Sequence, residues 1–510
     1  MRPSCHLALA CLLLAAAPLL AEEDPRTIAF NRYRAESLKF AFSSSEATSE
    51  ERAIGLRGLD KHDCPAAAEW LIMKVLVASD EGDVLREAVR VLSKYGSQDT
   101  IQTMAQLWGK AFKKNVRGRV LLTLAIGKVK SDESRDVMKL ALKAKDARIV
   151  AAACRAIGKG DDDTFKDALL KLFKHKEPMV RAEAVFALAE LHEIDTKPRI
   201  FGMFCKDKSN FVRFRAWQAL RKLERNNRLP CEIQAWMDWW EEKASTVEEG
   251  EPNPWGKVFP GGQQTLKASS WFGIPVLADR VVFVMDATQR MDQSWKLDPG
   301  KERKKPPEKR IPNFFSVKTR YGLAFAYLND CIKRLPDTTQ VAVTFYHDRA
   351  APPNHSIYPD NNKWLKLKRK KVRAGIKQHA KELEPGGTSS LYEGLLAAFE
   401  FGAKKKPAQN GVQVICFLTV GKPTGGEFKD RPDRVKGQIW AMMQERGIVL
   451  NCVGLHNHAF ALLKDFSKET GGIYVHQQQE GDTVEPQDLD FWPDKKAAFE
   501  AARRDRKAGK

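Results

Sequence analysis

The first half of the chain repeats one apolar rhythm. In "VLREAVRVLSKYG" the apolar or small positions are Val84, Ala88 and Leu92. The same stripe returns at Val116/Val120/Leu124, Ile149/Ala153/Ile157, Val180/Ala184/Leu188 and Val212/Ala216/Leu220, at successive offsets of 32, 33, 31 and 32 residues. Positions four apart share a helix face, so each copy predicts an amphipathic helix. Each is followed by a break, such as Gly96 or Gly158, and then by a second apolar helix such as "TFKDALLKLFKH". A helix pair this short cannot bury its apolar face alone, whereas stacked neighbours can. The pattern predicts an all-α solenoid over residues 48–243, with a less regular first repeat. Its last helix, "CEIQAWMDWWEEK", sets Trp236, Trp239 and Trp240 on one face. That face either caps the array or docks the next domain, or it stands exposed as an aromatic platform.

The rhythm changes beyond a stretch rich in Glu, Pro and Gly, which places a linker at 244–278. Continuous apolar runs at 281–285, 341–346, 412–418, 448–453 and 473–475 then predict strands. Helical patterns at 319–334, 363–383, 390–402, 433–446 and 459–470 alternate with them. Fully apolar strands separated by helices imply a buried, mostly parallel sheet with helices on both faces. Such sheets bind ligands beyond the carboxyl ends of their strands.

Composition narrows the function classes. Apolar content of 43% and charged content of 29% fit a soluble globular chain, and its length fits two or three domains. A net charge of +20 predicts a basic surface that seeks anionic partners. The N-terminal "MRPSCHLALACLLLAAAPLLAEEDP" has Arg2, then a short apolar run, then Ala21 before acidic residues. This predicts a signal peptide over 1–21, cut after Ala21, followed by an N-terminal segment at 22–47. No later stretch is long and apolar enough to span a membrane. An exported, periplasmic or cell-envelope location follows, and intracellular nucleic acid recedes as a partner. Beyond the signal, seven cysteines lie scattered with no C-x-x-C. Buried free thiols are expected, with a Cys205–Cys231 disulfide as the alternative. A charged tail occupies 481–510.

Two resemblances follow from these residues. "VRAEAVFALAEL" and "VRFRAWQALRKL" resemble HEAT repeats, in which Val-Arg opens the second helix. "DRVVFVMDATQRM", "EPGGTSSLYEGL", "VQVICFLTVGKPTGG" and "GIVLNCVGLHNH" together resemble a von Willebrand factor A (VWA) domain over 279–480. The layout resembles secreted bacterial proteins that join HEAT repeats to a VWA domain. The fold implied is multidomain, a HEAT-like solenoid followed by a doubly wound, Rossmann-like α/β domain.

The VWA resemblance implies a metal-ion-dependent adhesion site, where a hard cation such as Mg²⁺ takes oxygen ligands. Carried over residue by residue, Asp286 supplies the first carboxylate, Thr288 a hydroxyl and Thr388 the second-loop hydroxyl. Arg290 stands where a second serine belongs, and Val420 where the second aspartate belongs. One carboxylate is lost and one cation gained. At roughly 4–6 Å two like charges repel by a few kcal/mol at an effective dielectric of about 20. The expectation is a degenerate site with no cofactor and at most weak Mg²⁺ binding. Arg290 either pairs with Asp286 in place of the ion or points to solvent. His347, His456 and His458, near the same sheet edge, are either polar loop tips or a substitute zinc site.

Two basic runs add a docking candidate. One is the insertion after the first loop, which carries Phe314 and Phe315. The other is "KWLKLKRKKVR", with Lys366, Arg369 and Lys370; as a helix it would turn Trp364, Leu365 and Leu367 inward. Each run is either a solvated face or a dock for an anionic partner. No nucleotide-loop, serine-hydrolase or zinc-protease motif occurs. The sequence is therefore read as a non-enzymatic binding or scaffold protein. Its solenoid concavity and strand tops would recognise a protein or an anionic envelope partner. The alternatives are Mg²⁺-dependent adhesion through the partial site, or a structural envelope role.

Overall fold

A computed structural model describes residues 23–112, 115–226, 229–245, 266–295, 310–312, 316–347, 355–359, 363–368, 370–403, 411–429, 431–456 and 458–477. The predicted signal segment, Phe314, Phe315, Arg369 and the charged tail lie outside them.

The first unit is a stack of helix pairs. After an opening pair, the second helices are Gly82–Leu92, Val116–Ile126, Ala147–Gly160, Pro178–Glu190 and Asn210–Glu224. The predicted stripes fall inside these helices, and every stripe position is buried except Val116, which is partly buried against the same core. Local chemistry sets the starts. Thr48 and Glu51 form a reciprocal capping box, Asp146 accepts the Arg148 N–H, and Pro178 opens its helix at a position that needs no N–H. Successive second helices pack on one another and form the inner layer. Between repeats, Arg181 grips Asp207 through two hydrogen bonds of 2.8 Å. The tryptophan face of Ile233–Ser245 closes the stack. Trp236 and Trp240 are buried, and Trp240 stacks on Phe201 at 4.8 Å.

The second unit is an α/β domain. Its strands are β1 (Ser269–Trp271), β2 (Ile274–Val276), β3 (Arg280–Asp286), β4 (Gln340–Tyr346), β5 (His355–Tyr358), β6 (Leu365–Lys366), β7 (Val414–Thr419), β8 (Val449–Leu455) and β9 (Tyr474–Gln477). The main sheet runs β5-β4-β3-β7-β8-β9, with β6 also on β4. Strands β3, β4, β7, β8 and β9 are parallel, while β5 and β6 run antiparallel to β4. Counting parallel strands alone, the order is 2-1-3-4-5. The winding reverses between β3 and β7, which is where such sheets open a crevice.

Two local expectations change, and the expectation of free thiols holds. Part of the linker stretch is packed structure: β1 and β2 form a hairpin whose Trp271 is fully buried against Phe283. The start of the basic run is not helical, since β6 pairs Leu365 with Val341, and the helix is Lys370–Glu382. Cys205 and Cys231 are buried free thiols, as are the other five. Burial pushes the Cys205 thiol up to about 12, so it stays protonated. Among the described residues, no helix is long and apolar enough to cross a membrane.

Candidate functional site

Asp286 ends β3, Tyr346 lies opposite it on β4, and Thr419 ends β7. The parallel register thus brings three polar side chains to one strand-end level. The Asp286 carboxylate is fully buried. One oxygen accepts the Thr288 N–H at 2.9 Å. The other accepts the Tyr346 hydroxyl at 3.1 Å, the Thr419 hydroxyl at 3.2 Å and the Val420 N–H at 3.0 Å. Burial, reinforced by the Asp286 charge, holds the Tyr346 phenol well above its ordinary value, so it remains a donor.

The loops around this carboxylate are tied together. The Gly386 N–H donates to Ala287 and the Gln289 N–H to Gly387. The Thr424 and Gly425 N–H groups donate to the Ser389 carbonyl, and the Ser389 N–H to the Thr424 hydroxyl. Thr388 and Arg290 are both exposed on this crest. Arg290 does not pair with Asp286, whose acceptors are taken by donors from its own domain. Its guanidinium lies instead against Gly421, where an added Cβ would sit 2.2 Å from Nη1. Val420 is buried and contributes its backbone N–H in place of a carboxylate.

That donor set does not suit a hard divalent cation. Hydrogens rather than lone pairs surround the one carboxylate, and a cation needs lone pairs. The Thr288 and Ser389 hydroxyls are buried without hydrogen-bond partners. Among the described residues, no cluster of three or more His, Cys, Asp or Glu could hold a metal. The three histidines of the zinc alternative do not gather into one. His458 is engaged with Tyr474 at 2.6 Å and with the His456 carbonyl at 2.7 Å. Lys366 and Lys370 are exposed but stand away from the crest. Lys366 pairs with Gln340, at the opposite end of β4 from Tyr346.

The solenoid's inner face is not open. The helix Pro432–Arg446, here called the seam helix, lies along it. Near its start, Arg431 and Arg434 reach Glu50 and Asp83, at 2.7 Å each. Near its end, Glu445 receives Arg117 at 3.1 Å and Arg148 at 2.5 Å, while Arg155 donates to the Gln444 carbonyl at 2.5 Å. Further along, Gln218 donates to the Gly471 carbonyl at 2.7 Å, and the Asn210 N–H donates to Asp279 at 2.9 Å. Two glycines make the closest approach. A Cβ on Gly82 would lie 2.2 Å from the Gly437 carbonyl, and one on Gly437 would lie 1.2 Å from Asp83 Oδ1. The expected free concavity is therefore filled by the chain's own second unit.

Sequence reasoning did not single out Tyr346 or the seam. Tyr346 gave no signal, because its role depends on strand register. The seam gave one: Glu183, Arg215 and Gln218 are polar residues on inner helices, yet each is buried. A family model for HEAT repeats matches residues 166–235, the last two helix pairs and the start of the capping helix. No curated protein matches the chain.

Proposed function

We propose that the chain is an exported, non-enzymatic interaction protein whose α/β unit is a VWA domain with a degenerate adhesion site. The observation that carries this is the Asp286 carboxylate, saturated by four donors with Val420 in the second-aspartate position. A crest built this way recognises its partner without a tightly bound ion. The exposed groups it offers are Arg290 and Thr388, so a carboxylate or other anionic group of a protein or envelope partner is the complementary chemistry. The guanidinium then takes the place of the cation that bridges partner and domain in a metal-loaded VWA site.

Calorimetric titration with Mg²⁺ and Mn²⁺ tests the site. The wild-type chain is expected to show no micromolar binding, and the Arg290→Ser/Val420→Asp double variant to gain it. Micromolar binding by the wild type, abolished by Asp286→Ala, would overturn the metal-free reading. Export is tested separately, because protein recovered from its native cells should begin at Glu22.

A further inference from the structure

Where the two units meet, a cavity of about 70 Å³ opens between the inner helices and the floor of the sheet. That exceeds the roughly 10–15 Å³ needed to hold one water. Its inner wall carries Arg155, Glu183 and Arg215, which are nearly or fully buried, with side chains 12%, 3% and 3% exposed.

The hydrogen bonding of this wall is incomplete. Arg155 uses Nη2 on the Gln444 carbonyl, but its Nε and Nη1 have no acceptor. Arg215 uses Nη1 on Gln218 at 2.9 Å, but its Nε has none. Glu183 lies 3.7 Å from each guanidinium, an electrostatic distance rather than a hydrogen bond, and its Oε2 has no donor. A guanidinium cannot shed its charge, so its buried N–H groups call for acceptors.

Charge is unbalanced in the same direction. Lys159 and Lys468 stand at the rim, and among the described residues neither makes an ion pair, although the Glu190 and Glu469 charges reach Lys159. Of the rim carboxylates, Glu190 pairs with Lys222, while Glu469 shares Lys436, at 3.2 Å, with Asp465 and keeps an Oε2 without a hydrogen-bond partner. Four cations thus face Glu183, which no cation outside the cavity engages, and a partly committed Glu469. The helices capped by Gly447 and Gly471 end at this cavity and add about half a negative charge each. Between roughly one and two positive charges remain.

We propose that this seam cavity binds a small dianionic oxyanion, inorganic hydrogenphosphate in particular. Its unprotonated oxygens accept from Arg155 and Arg215 and sit beside the ammonium groups of Lys159 and Lys468. Its single P–O–H donates to the unfilled Oε2 of Glu183. Sulfate has the charge and the acceptors but no proton to donate. A phosphomonoester is likewise without one once its second pKa near 6 is passed. The binding groups come from both units, so occupancy would tie them together.

Calorimetry on the full chain at pH 7.5 and fixed ionic strength, with inorganic phosphate, sulfate and glycerol phosphate, tests the assignment. One phosphate per chain is expected, bound about tenfold more tightly than sulfate or the ester, the increment of one well-formed charge-assisted hydrogen bond. Among the described residues Lys159 and Lys468 have no ion pair to lose, so Lys159→Gln and Lys468→Gln should fold normally. Each is expected to weaken phosphate binding about fivefold, in keeping with loss of one partly solvated charge. Phosphate binding no tighter than sulfate, or unmoved by both lysine variants, overturns the proposal.

Discussion

Both units bury a carboxylate, and the two are surrounded in opposite ways. Asp286 sits at a strand end, and its donors, Thr288, Tyr346, Thr419 and Val420, all belong to its own domain. Glu183 sits on the inner face of a repeat, and among the described residues the cations nearest it are Arg155 and Arg215 of the two flanking repeats, at 3.7 Å. Its burial comes from the other unit. Adjacent parallel strands carry backbone N–H groups and side chains to one level, so a strand end can solvate a charge by itself. A repeat face has its backbone groups locked inside helices, and what it buries depends on what docks there.

The contrast can be broken most severely at the seam's closest approach. Gly437→Val places a side chain against Asp83 and is expected to cost about 3 kcal/mol or more. Chemical denaturation should then show two transitions instead of one, and a single unshifted transition would mean the seam is not tight. Asp286→Ala strands several donors at once and should lose about 3 kcal/mol. A melting curve matching the wild type would show that the crest does not depend on this carboxylate. Glu445→Ala leaves Arg117 and Arg148 facing each other at the seam; about 2 kcal/mol is expected, since both arginines keep partial water contact. The gentler probe of the crest is Tyr346→Phe, which removes one donor while others remain, for about 1 kcal/mol. The smallest change is expected for Arg290→Ala, within about 0.5 kcal/mol, because the side chain is exposed. A large loss of stability there would give Arg290 a structural role in place of a recognition one.

Much of the architecture was legible in the sequence. The stripes at Val84, Val116, Ile149, Val180 and Val212 mark inner helices because helical burial is periodic. The apolar runs mark the parallel strands because both sheet faces are covered. Asp286 could be placed at a strand end for the same reason. The edge strands β5 and β6 were not legible, since short polar segments carry little pattern. Tyr346 was not, because only the register with β3 makes it a partner of Asp286. The hairpin holding Trp271 is hidden in a stretch whose composition reads as a connection. The seam was the largest omission. Arg155, Glu183 and Arg215 look like an ordinary solvated face until a second domain covers them.

The length of that seam has a mechanical consequence. Contacts run from Glu50 in the opening helix pair to Asn210 and Gln218 in the last. A free solenoid is compliant, because each repeat touches only its neighbours and small rotations accumulate along the stack. Here the α/β unit bridges both ends of the array like a splint. Bending or stretching the repeats would have to shear the seam along its whole length. The chain should therefore respond to load as a stiff plate, and its curvature should change little when force or a partner acts on its outer surface.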